Sequence, residues 1–301
     1  MGAVWGADDP ERALASQASL TSLGAGLTFA GVMHRMFQII AGIAIWLICT
    51  TGTCAGSDDI YQAKTIVTGQ EMPSRLTGFA TCLADVLVKV SGDPRLLADS
   101  RVAKLAGHAA DYVASFHYRD RLEGIPIHDE QGSRDRPFDL TVSFDQAKID
   151  RALRELGSKP WLGKRPVLAM FIAVRLDKVT YVLTSDGERG IDQRDSLAAV
   201  SWQMGVPVLL PAKAEMPLTF ETLPKTDNAI LTALAKREGA DLAMAGLLVW
   251  DRQSLGWAAD WRLITREGES AWKIRDVNFD EAFRRALRGA AQVLSGNGSP
   301  N

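Results

Sequence analysis

The chain has 301 residues, with 34 Lys and Arg against 36 Asp and Glu, for a formal net charge of −2. A near-neutral chain has no broad basic field, which argues against a nucleic-acid or anionic-membrane binder. An apolar share of 47% and a charged share of 23% describe a folding chain rather than a disordered one.

In chain order, the first feature is an export signal. His34 and Arg35 give a short positive start, residues 37–48 are an apolar run, and Thr53 and Ala55 are small residues at −3 and −1 of a cut before Gly56. The run is shorter than the roughly 17–25 apolar residues of a membrane span. We therefore expect 33–55 to be a cleaved signal peptide and the product to be periplasmic or otherwise exported. It would touch the membrane only if the segment stayed uncleaved. Residues 1–32 carry acids and no basic start, so we read them as a gene-model extension with translation beginning at Met33 or Met36. Cleavage would remove Cys49 and Cys54 and leave Cys82 as the only thiol, set among helix-spaced apolar residues as a buried small hydrophobe.

Residues 61–67 alternate as a strand. Leu76, Phe79, Leu83, Val86, Leu87 and Val90 form one helical stripe over 73–90, stopped by Ser91-Gly92-Asp93-Pro94. A second helix is expected over 97–114, then a strand at 116–122, a polar loop at 124–137 and a strand at 138–144. Asp145 caps a helix over 146–156. Residues 157–165 (GSKPWLGKR) read as a joint between domains. Residues 166–174 form a continuous apolar run, the mark of a strand covered on both faces, with 179–184 as its hairpin partner. A helix at 195–204, a short strand at 206–210, a loop at 211–223, a helix at 227–238 and a buried strand at 240–250 follow. A hairpin of 257–265 and 270–277 and a closing helix at 279–294 end the chain.

This order gives an α+β fold of two small sandwich-type domains with mixed or antiparallel sheets. We place the first (β-α-α-β-β-α) at 58–158 and the second at 165–296, with a tail at 297–301.

No catalytic, cofactor or metal-ligand set stands out. His108, His117 and His128 lack the i, i+4 spacing of a helical metal pair. The pairs Asp58-Asp59 and Asp129-Glu130 fall at a terminus and in a loop, without spacing around a scissile bond. Ser100 and Lys104 are one residue too far apart for a serine–lysine motif, and no G-x-S-x-G or H-E-x-x-H is present. Arg119, Arg121, Arg134 and Arg136 are interleaved with acids, which spoils a phosphate strip.

Beyond the signal segment tryptophan is the enrichment, at Trp161, Trp202, Trp250, Trp257, Trp261 and Trp272. Period two puts Trp257 and Trp261 on one strand face, with Trp272 across the turn. A core face beneath the last helix explains them; an aromatic platform for a glycan, lipid or peptide is the functional alternative. The candidate contact residues are Trp161, Trp257, Trp261 and Trp272.

Several blocks resemble a known family. Tyr61-Gln62-Ala63, LVKVSGDPRLL (87–97), YVASFHYR (112–119) and the run 140–174 are similar to the bacterial domain of unknown function numbered 2066, and GADLAMAGLLVW (239–250) and WAADWRLI (257–264) fit its pattern. Val249-Trp250-Asp251-Arg252 departs from the glycine-arginine usual after its central strand. The resemblance implies export and carries no established activity. The element order of the second half also resembles the amino-terminal domain of the periplasmic translocation protein TolB and the periplasmic domain of curli-type secretion lipoproteins. The function expected is a non-enzymatic envelope protein that binds another protein or an envelope polymer. The alternative is a hydrolase or small-ligand binder with its site at the joint near Trp161, where pockets often form.

Overall fold

Helix α1 (Met72–Ser91) shows how the first half is built. A proline opens it, Phe79, Leu83, Val86, Leu87 and Val90 bury one stripe, and Gly92 at φ 70° closes it. The left-handed turn lets the Gly92 N–H bond the Val88 carbonyl at 2.7 Å. The computed structural model describes residues 59–125 and 136–300, all within one unit spanning 55–301. The extension, the signal segment with Cys49 and Cys54, and His128 lie outside the described residues.

The first sheet is antiparallel, in the order β1-β3-β2, formed by β1 (Gln62–Thr68), β2 (Val113–Asp120) and β3 (Pro137–Phe144). Its register sets Thr65 and Tyr118 on either side of Leu140. Helices α1 and α3 (Gln146–Glu155) cover its apolar face, and Asp145 caps α3 by accepting from the Lys148 N–H. One correction concerns 97–114, where a single helix was expected. The segment is a 3-10 turn (Pro94–Ala98), a short α2 (Ser100–Ala106) and a second 3-10 turn (Ala109–Tyr112). Apolar spacing runs straight through Asp99 and Gly107. The Asp99 carboxylate, however, accepts from the Arg101 N–H and starts a new helix there, and α2 ends at Gly107.

The second sheet runs β5-β4-β7-β8-β9, with β6 against the start of β4. Its strands are β4 (Leu168–Leu176), β5 (Val179–Leu183), β6 (Val208–Leu209), β7 (Leu242–Asp251), β8 (Gly256–Ile264) and β9 (Glu269–Val277). β4 is parallel to β7 and β6, while the other pairings are antiparallel. Helices α4 (Ile191–Met204) and α6 (Phe279–Leu294) pack on one face over Met170, Ile172, Met244, Trp257, Trp261 and Ile274. Helix α5 (Asn228–Arg237) covers Phe171, Ala173 and Ala243 on the other. The molecule is thus α+β, with one antiparallel and one mixed sheet. Among the described residues no helix is long and apolar enough to cross a membrane.

Cys82 sits fully buried in the core beside Leu83 and Val86. Burial, aided by the nearby Asp85 carboxylate, pushes its thiol up to about 12. A thiol-specific reagent at pH 8 is expected to leave Cys82 unlabelled in the folded protein and to label it fully in denaturant. The raised pKa also sets a sign. The native thiol keeps its proton where an unfolded one has lost it. Its stabilising share is therefore complete below the ordinary thiol value and drains away as pH climbs toward 12, at roughly 1.4 kcal/mol per pH unit. Denaturation midpoints measured between pH 8 and 11 should fall accordingly, and a flat profile would remove Cys82 from the reckoning.

Candidate functional site

The last turn of α1 leaves carbonyls without partners inside the helix, and the second half of the chain supplies them. The Lys89 carbonyl accepts from the Arg165 guanidinium at 2.5 Å, that of Val90 from the Trp161 N–H at 2.8 Å, that of Ser91 from the Asn297 side chain at 3.0 Å and that of Gly92 from the Ser295 hydroxyl at 3.3 Å. Arg165 also donates to the Met204 and Gly205 carbonyls at the end of α4, both at 3.1 Å. One guanidinium therefore joins two helix C-termini, where the helix dipoles favour positive charge. Burial lowers its pKa to about 10, with the neighbouring Tyr61 acting in the opposite direction.

Beside this clasp lies an open groove of about 910 Å³, lined among others by Tyr61, Lys89, Trp161, Lys164, Arg165 and Trp202. The Arg165 guanidinium stands 4.2 Å from the Trp161 ring centroid. Lys89 Nζ stands 4.3 Å from that of Trp202, and Lys64 Nζ 5.9 Å. Lys89 is buried and donates to the Gln62 carbonyl at 3.1 Å. The Tyr61 hydroxyl donates to Asp150 at 2.9 Å; burial first, then this bond to a carboxylate, raises its pKa and keeps the phenol neutral. The Ser201 hydroxyl donates to the Val206 carbonyl at 2.8 Å. Both hydroxyls of the groove are thus committed to partners.

A second polar cluster sits where α1, α4 and α6 meet. The Asp85 carboxylate accepts from the Gln203 amide at 3.0 Å, with Arg284, Arg288 and Lys89 near enough to act on it. Burial outweighs these and raises the Asp85 pKa. An acid with a raised native pKa favours the fold below its ordinary value and costs stability as pH rises through the native one. Asp85→Asn keeps an acceptor for Gln203 and loses the charge. It is expected to melt above the parent at pH 7, with the gap closing toward pH 4. A variant that melts lower at pH 7 would show that the arginines dominate.

Of the four tryptophans singled out in the sequence, Trp161 lines the groove. Trp257, Trp261 and Trp272 are buried beneath α6, which is the core reading of that stripe. His108 and His117 are exposed on the surface, and among the described residues no three His, Cys, Asp or Glu side chains gather at metal-binding distance. The sequence reading left Trp202, Arg165 and Tyr61 without a site role. Trp202 did leave a trace: Leu197, Val200 and Met204 form the buried stripe of α4, and a large indole falls off that stripe.

A family model described as Domain of unknown function (DUF8605) matches residues 55–162. This corrects the family resemblance to the domain numbered 2066, a different family, and no likeness to TolB is found with it. One of the quoted blocks is carried largely by capping chemistry. In LVKVSGDPRLL, Gly92 supplies the left-handed stop and Asp93 accepts from the Arg95 N–H, which any helix ending here can use. No curated protein matches the chain.

Proposed function

We propose that this chain is an exported, non-enzymatic binding protein of the cell envelope, and that its ligand seats in the groove at the joint. The observation that carries the reading is the convergence of two half-buried indoles, Trp161 and Trp202, with cationic side chains in one open groove of about 910 Å³. Such a volume suits a ligand of drug size or a stretch of polymer. The clasp around Arg165 favours a seat formed before the ligand arrives, which lowers the entropy cost of binding. Binding fits the groove better than catalysis, because the Tyr61 phenol is held neutral and the Ser201 hydroxyl is spent on a backbone carbonyl.

The test is co-sedimentation of the purified protein with envelope material, beside a Trp161→Ala/Trp202→Ala double variant of matched fold by circular dichroism. Aromatic contacts contribute about 0.5–1.5 kcal/mol each beyond area burial. The double variant is therefore expected to bind about tenfold or more weakly. Equal retention of parent and variant would reject the groove as the seat.

A further inference from the structure

Resting on the groove as the ligand seat, we infer that its ligand is an acidic saccharide, a chain of sugar rings each bearing an acid group. The groove pairs flat apolar surface with positive charge twice over. Trp161 is followed along the chain by Lys164 and Arg165, with the guanidinium 4.2 Å from its ring. Trp202, which lines the groove, has Lys64 Nζ 5.9 Å from its ring, although Lys64 itself lies outside the lining. A ligand matching that pattern offers, unit by unit, a ring with an apolar face and an anion beside it.

Charge complementarity points the same way. Among the described residues lining the groove there is no Asp or Glu. Among the described residues the Arg165 guanidinium is hydrogen-bonded to three backbone carbonyls and to no carboxylate, so it stands half-buried at the wall as a cation offset only by the dipoles of the helix ends. An anion arriving there meets a fixed cation in a medium less screening than water. Lys164 extends its side chain into solvent, 84% exposed, with Nζ 3.8 Å from the Asp241 carboxylate. So loose a pair contributes little and yields readily to a bound acid. An acidic peptide would satisfy the cations and leave the indoles idle. A neutral glucan would do the reverse.

The experiment is calorimetric titration of the full chain with three probes of equal length: hexagalacturonate, maltohexaose and hexaglutamate. Hexagalacturonate is expected to bind at least tenfold more tightly than either of the others and to weaken as salt is added. Lys64→Gln and Lys164→Gln change exposed side chains without touching either core, and each should weaken it roughly two- to fivefold. Equal binding of maltohexaose would overturn the acid requirement while leaving the seat in place, provided that Trp161→Ala/Trp202→Ala still weakens it about tenfold or more. Equal binding of hexaglutamate would overturn the saccharide. Hexagalacturonate binding that ignores both the tryptophan and the lysine changes would overturn the seat itself. Binding of none of the three would overturn the inference.

Discussion

Gly246→Ala is expected to destabilise the protein by about 3 kcal/mol, the upper end of what overpacking a core costs. Gly246 sits in β7 directly across from Trp261 in β8. A Cβ at 246 would lie 2.2 Å from one ring carbon of Trp261 and 2.6 Å from the next. The ring has nowhere to go. It is 1% exposed, and Phe283 of α6 packs against it with ring centroids 6.1 Å apart. At roughly 2–4 °C per kcal/mol for a fold of this size, the midpoint should fall by about 6–12 °C. A double-mutant cycle isolates the cause. In a Trp261→Leu background the space above residue 246 is free, so the alanine should cost less than about 1 kcal/mol, a coupling within the range for residues in contact. A small loss in the parent, or a large one in both backgrounds, would show that the close approach of ring and glycine is not what constrains this position.

Arg165→Ala should cost a similar amount by a different route. The guanidinium is expensive to bury, as its lowered pKa shows, yet removing it strands three carbonyls, those of Lys89, Met204 and Gly205. An unsatisfied buried acceptor costs about 1–3 kcal/mol, and part of that is recovered where water enters the groove. The expected net loss is about 3 kcal/mol in urea denaturation. It should be accompanied by faster hydrogen exchange at the Trp161 amide, which bonds the Val90 carbonyl next along. Arg165→Lys keeps the charge but has no planar fork with which to hold two helix ends at once, and should recover less than half of the loss. Full recovery by lysine would mean that charge alone matters between the two helix ends.

These two positions mark the limit of what the sequence discloses. The closing helix is legible to the residue. Asn278 accepts from the Glu281 N–H at its start, and Phe283, Ala286, Leu287 and Ala290 form its buried stripe, so the 3.6-residue period and the cap agree. The start of α4 is less legible. Residues 191–194 (IDQR) lack apolar spacing, and the helix begins there because Gly190, at φ 77°, sets the turn before it. β6 is only two residues long because β5 occupies the rest of that edge of β4. The segment 157–165 stood out by composition, and Trp161 with it. Arg165 did not, because its partners lie 39, 40 and 76 residues away and are backbone oxygens that any sequence would offer. The tryptophans on β8 and β9 were ambiguous for a physical reason. Strand period two says which residues share a face, and only the packing of α6 says whether that face meets solvent.

The most direct measurement is of the indole N–H signals of isotope-labelled protein, assigned by single Trp→Phe changes, during titration with hexagalacturonate. The groove predicts saturable shifts at Trp161 and Trp202, with Trp257, Trp261 and Trp272 unmoved in their core. Shifts confined to the core tryptophans, or equal shifts at all of them, would contradict a ligand seat at the joint.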